Sequence, residues 1–151
     1  MRNTILCLIF LVGSFASAQV QTPQPSPSSH LSQTVGLTEV NIKFSRPGKK
    51  GRVIFGDLVP YGKLWRTGAN KNTTISFSDP VTIGGNQIAA GEYAIFTRPG
   101  KSMWEVIFYN DTSNWGSRSD WDADKVSTSV EVWLLYTSDA ADDSLRVDLG
   151  G

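Results

Sequence analysis

Apolar and polar residues alternate in short runs along most of this chain. Val40, Ile42 and Phe44 are separated by Asn41 and Lys43, and Thr73, Ile75 and Phe77 by Thr74 and Ser76. A period of two places one set of side chains on each face, which predicts half-buried strands. Val81 and Ile83 run into Gly84-Gly85-Asn86 and the chain returns through Ile88, a hairpin signature. From Tyr93 to Thr97, Tyr93 and Ile95 point opposite to Ala94 and Phe96; the Arg98–Lys101 turn then leads into Trp104, Val106 and Phe108. Val126 to Val132 supplies one more strand. No window longer than ten residues in this region keeps a helical period. Short strands with closely spaced turns predict an all-β fold, a single antiparallel β-sandwich or barrel-like domain.

The first residues follow a different pattern. Arg2, the apolar run Ile5–Val12 and Ala16-Ser17-Ala18 form the positive, apolar and small-residue regions of a secretory signal over residues 1–18. The apolar run is shorter than the roughly 20 residues that span a bilayer, so no integral membrane segment is expected after cleavage. Residues 19–31, rich in Pro, Ser and Gln and closed by the lone His30, read as a disordered leader. The globular β domain is expected over 32–133. The single cysteine, Cys7, lies inside the signal and would leave with it, so the mature chain has no disulfide or thiol ligand. Export without cysteine points to a periplasmic or extracellular protein. Fourteen Lys and Arg balance fourteen Asp and Glu, with none of the basic excess that marks a nucleic-acid binder.

Candidate chemistry concentrates between Ser45 and Ser78. Arg46, Lys49, Lys50 and Arg52 surround Pro47-Gly48 and Gly51, a cationic loop whose guanidinium forks could hold carboxylate or phosphate. The bland alternative is a solvated loop with one arginine tied to Asp57. In Trp65-Arg66-Thr67-Gly68-Ala69-Asn70, the indole offers a flat apolar face, with Arg66 and Asn70 as polar neighbours and Tyr61 as a second ring. Against that, such a Trp can simply plug the end of a sandwich, and Asn70 can be a turn residue. The candidate binding residues are therefore Arg46, Arg52, Tyr61, Trp65, Arg66 and Asn70. Asp120, Asp122, Asp124 and Glu131 match four positions of a calcium loop, but Lys125 stands where that loop needs Gly. A solvated acidic turn is the default, and no metal site is expected. One histidine cannot build a histidine-based triad or a multi-histidine metal site, and Asp57, Asp79, Glu92 and Glu105 are dispersed.

The segments SQTVGLTEVNIKFSRP, KGRVIFGDLVPYGKLWRTGAN, TTISFSDPVTIGG, AGEYAIFTRPG and Trp104–Phe108, with Asn114-Trp115-Gly116, resemble the secreted family known as domain of unknown function 2911 (DUF2911). The resemblance implies a signal-bearing, predominantly β domain, and it carries no catalytic residue or substrate. From Leu134 the sequence LLYTSDAADDSLRVDLGG resembles the translated read-through of a transposase-based sequencing adapter. That resemblance implies a non-native tail over 134–151 and a domain cut near residue 133, lacking its last strands; the alternative is an acidic native C-terminus. Taken together, the chain reads as an exported, non-catalytic binding module without a cofactor. It would meet a small anionic or carbohydrate ligand, or a protein partner. The alternatives are a periplasmic hydrolase using dispersed carboxylates and a structural envelope component.

Overall fold

A computed structural model describes residues 22–116 and 120–134. The expected signal, the first residues of the leader and all of the adapter-like tail after Leu134 lie outside them. Eight strands follow in chain order: β1 (Ser28–Val35), β2 (Thr38–Ser45), β3 (Thr74–Phe77), β4 (Val81–Ile83), β5 (Asn86–Ile88), β6 (Gly91–Pro99), β7 (Met103–Tyr109) and β8 (Val126–Trp133). Six of them form one antiparallel sheet in the order β1-β2-β3-β6-β7-β8, and β4 pairs only with β5. The topology is a meander interrupted by a hairpin.

The all-β, antiparallel expectation holds. The sheet is open rather than a closed barrel; the small hairpin covers one of its faces and irregular chain packs on the other. Five of the alternating runs read from the sequence are strands of the large sheet, and the Gly84-Gly85 turn joins β4 to β5 with φ of 57° and 85°. Both values lie in the left-handed region that a tight hairpin turn requires. Gly84 also packs over the sheet, because a Cβ there would meet Val130 Cγ1 at 2.5 Å.

Strand β1 begins inside the stretch expected to be leader. Ser28 to Val35 pairs with β2 residue for residue, from Ser28 opposite Ser45 to Val35 opposite Thr38. Its side chains are almost all exposed on both faces, so no alternation marks it. The ladder to β2 supplies its backbone hydrogen bonds. His30 Nε2 lies 3.1 Å from Asn41 Oδ1 on the neighbouring strand.

The two faces of the sheet bury different clusters. On one, Phe77, Ile88, Tyr93 and Phe108 pack with Val40, Ile75, Val81, Ile83, Ile95 and Val106 beneath the β4–β5 hairpin. On the other, Ala94, Phe96, Ile107 and Tyr109 pack with Leu64, Trp121 and Val126. The opposition of Tyr93 and Ile95 to Ala94 and Phe96 is therefore the division between two cores. No helix among the described residues is long and apolar enough to cross a membrane.

Candidate functional site

Between β2 and β3 the chain makes a long excursion, residues 46–73, that forms no regular strand. Long irregular segments inside a small domain are where binding surfaces are commonly built. This one is held at three places. Arg46 N donates to Pro27 O at 2.9 Å, closing the start. The middle uses the ladder that β3 leaves vacant. β3 stops at Thr74, and the edge of β6 beyond it is taken by Trp65, whose N donates to Thr97 O (2.8 Å) and whose O accepts from Thr97 N (2.9 Å). Gly62 N donates to Pro99 O at 2.8 Å, extending that pairing. The end is locked by the Asn114-Trp115-Gly116 segment. Lys71 bridges Trp115, Asn114 Nδ2 donates to Asn72 Oδ1 at 3.2 Å, and Gly116 N donates to Asn70 O at 3.1 Å.

The Trp65–Asn70 turn is wound tightly. Thr67, Gly68 and Asn70 have φ of 56°, 135° and 61°. A β-branched residue at positive φ is sterically costly and persists only where its surroundings enforce it. Here Thr67 Oγ1 lies 3.0 Å from Thr97 Oγ1, and Thr67 O accepts from Thr73 Oγ1. Any Cβ at Gly68 would sit 3.1 Å from that same Thr73 hydroxyl. Side chains on either side of the Trp65–Thr97 bridge go to opposite faces. Leu64 joins the Phe96 core. Trp65 meets Phe55 and Trp104 edge to face, with centroids 5.8 and 6.5 Å away.

The excursion folds over one end of the sheet and leaves a cleft of about 670 Å³. Its apolar lining includes Phe44, Ile54, Leu58, Val59 and Trp65; its ionised residues are Arg46, Lys49, Arg52 and Arg66. No Asp or Glu is among the lining residues. Four cations on an apolar cavity of this size match the dimensions and composition of a small-molecule site.

Four of the six residues expected from the sequence meet in this cleft: Arg46, Arg52, Trp65 and Arg66. Their states differ. Arg52 folds back on its own loop, with Nε donating to Lys49 O (3.0 Å) and Nη2 to Gly48 O (2.8 Å). It thus braces the cationic loop through carbonyls rather than through Asp57. Arg66 is held by one donated bond from Nη1 to Asn70 O. Arg46 and Lys49 carry no side-chain ion pair among the described residues, which leaves them as the available cations. Asn70 does not line the cleft. Its Nδ2 donates to Ser26 O (3.1 Å) and Ser45 Oγ (3.4 Å), pinning the segment before β1 to the turn. Tyr61 also lies apart, its ring against Gly56, where a Cβ would come within 2.8 Å of Tyr61 Cε2.

Lys49 and the apolar floor of Ile54, Leu58 and Val59 complete the site beyond the sequence-derived set. The signal for that floor was the pair of short apolar runs, Val53-Ile54-Phe55 and Leu58-Val59, set among turn residues.

Three of the four dispersed carboxylates have other partners. Glu92 accepts from Thr74 Oγ1 and pairs with Lys43 at 3.7 Å. Glu105 pairs with Arg98, and Asp79 accepts from Ser78 Oγ at 2.6 Å. Asp122 caps the single turn of 3-10 helix at Ala123–Lys125 by accepting from Asp124 N at 3.0 Å, while Glu131 lies on β8. No cluster of His, Cys, Asp and Glu suited to a metal occurs among the described residues.

In a comparison with known families, the model of a family described as "Protein of unknown function (DUF2911)" matches residues 26–148. No curated protein and no solved structure matches the chain.

Proposed function

This chain belongs to the DUF2911 family, which carries no assigned function, and on that premise we propose that it is a non-catalytic module whose cleft binds a small amphipathic anion. One observation carries the reading: every ionised residue lining a largely apolar cleft is positive. A carboxylate or phosphate head would be met by Arg46 and Lys49, with Arg66 a further cation in the lining. Charge-assisted bonds of this kind are about twice as strong as neutral ones. The apolar body of the ligand would lie along Phe44, Ile54, Leu58, Val59 and the Trp65 ring.

A carbohydrate fits this lining less well, since sugars need many paired donors and acceptors, and here the indole is engaged in a three-ring cluster with Phe55 and Trp104. A hydrolase using the dispersed carboxylates would need them at the site, and Asp57, Asp79, Glu92 and Glu105 are absent from its lining.

Thermal melts with a ligand panel test the proposal. Octanoate, phenyl phosphate and related aryl or alkyl anions should raise the melting temperature, whereas the matching neutral amides, alcohols and cationic amines should not. At about 100 times its Kd, a ligand of the folded state adds about 2.7 kcal/mol. A response to neutral sugars alone would favour the carbohydrate reading, and no response to any member would remove the basis for a ligand site.

We also propose that the protein is exported, on the strength of Arg2, the Ile5–Val12 run and Ala16-Ser17-Ala18. Mass spectrometry of the protein from its native host should find an N-terminus at Gln19; retention of residues 1–18 would contradict export by this signal.

A further inference from the structure

We propose that β1 is a dimerisation edge, at which two copies of this chain pair antiparallel, β1 against β1, to continue the sheet across a two-fold axis. Among the described residues β1 pairs with β2 alone and forms one border of the sheet. Sheet borders in monomeric proteins are normally blunted by lysine, proline, inward-pointing charge, a bulge or extreme shortness. β1 has none of these. Its sequence, SSHLSQTV, contains no Lys, Arg, Asp, Glu or Pro, and its eight-residue register to β2 runs without interruption. The opposite border is different: β8 carries Glu131, and its pairing with β7 shifts register between Phe108 and Tyr109.

The strand is also complementary to itself. Leu31, Gln33 and Val35 share one face, opposite Ile42, Val40 and Thr38 of β2, so they continue the apolar face that β2 begins. Leu31 and Val35 are nonetheless 51% and 59% exposed. Antiparallel pairing centred on Gln33 sets Leu31 of each copy opposite Val35 of the other, twice, by symmetry. Directly opposed apolar pairs are the unit of stabilisation across strands. With no Lys, Arg, Asp or Glu on the strand, bringing two identical copies together sets no like-charged pair of these residues along the ladder. A two-fold contact of this kind closes on itself and gives a dimer rather than a filament.

Sedimentation velocity over a concentration series tests this without reference to the cleft. The protein should reach twice the chain mass. Gln33→Lys and Gln33→Glu each oppose like charges at the axis and should each sediment at the single-chain mass. Their equimolar mixture should recover the doubled mass, because the opposed charges are then of opposite sign. Both variants alter an exposed side chain, so circular dichroism should match the parent and show that any loss of mass is not unfolding. A single-chain mass up to about 1 mM, beyond which an affinity is little more than encounter, overturns the proposal. So does a dimer that both charged variants retain, or an open-ended ladder of species, which would mean head-to-tail pairing of unlike edges.

Discussion

Phe96→Ala is expected to remove about 3–5 kcal/mol of stability, the range for deleting a fully buried aromatic side chain. Phe96 is 1% exposed. Its ring meets Tyr109 at 5.4 Å and Trp121 at 5.3 Å, both edge to face, and edge-to-face pairs add to the area term. Leu64 packs on the same cluster, so the cavity would open directly beneath the segment that carries Trp65 and Arg66. Domains of this size are stable by only about 5–15 kcal/mol, which makes the loss a large share of the total. In urea the midpoint should fall with the slope unchanged. Ligand binding at the cleft should weaken as well, since its wall loses its seat. A change below about 1 kcal/mol would mean that the Phe96, Tyr109 and Trp121 rings do not form a closed core.

The second large effect concerns binding rather than stability. Replacing Arg46 and Lys49 together by Glu is expected to weaken an amphipathic anion by at least about 100-fold, because each charge-assisted bond contributes about 1.5–3 kcal/mol and reversal adds repulsion. Both residues are exposed and neither side chain is paired among the described residues, so the melting temperature without ligand should stay close to the parent value. Arg52 is unsuitable for the same experiment. Its guanidinium closes the loop through Gly48 and Lys49 carbonyls, and its removal would confound loop geometry with charge. Titration calorimetry with the anion that gives the largest thermal shift measures the effect. An affinity within a few fold of the parent would place the anion elsewhere.

The parts of the fold that could be read from the sequence are those where one face is buried and the other is not. In β2, β3, β6 and β7 each apolar residue alternates with a differently placed neighbour, and the strands follow. β1 escaped because burial, not hydrogen bonding, creates the alternation: a border strand exposed on both faces is specified by its partner alone. The site divides in the same way. Charge and aromaticity at Arg46, Arg52, Trp65 and Arg66 are visible in a list of residues.

Side-chain direction in an irregular segment is not visible there. Nothing in the composition tells that Asn70, at positive φ, turns its amide back to Ser26 and Ser45, or that Tyr61 covers Gly56. Ile54, Leu58 and Val59 form the floor through tertiary closure of the excursion, as in the Val59 N to Ile54 O bond of 2.8 Å. No period announces that closure. Trp65 packs half-buried against Phe55 and Trp104 and also lines the cleft.

Amide chemical-shift mapping with the best anion from the panel would locate the binding site on the molecule. Perturbations should saturate together and concentrate in residues 44–59 and 65–69. Perturbations centred instead on the opposite face, around Lys43, Lys71 and Glu92, or spread evenly over the surface, would contradict binding in the cleft.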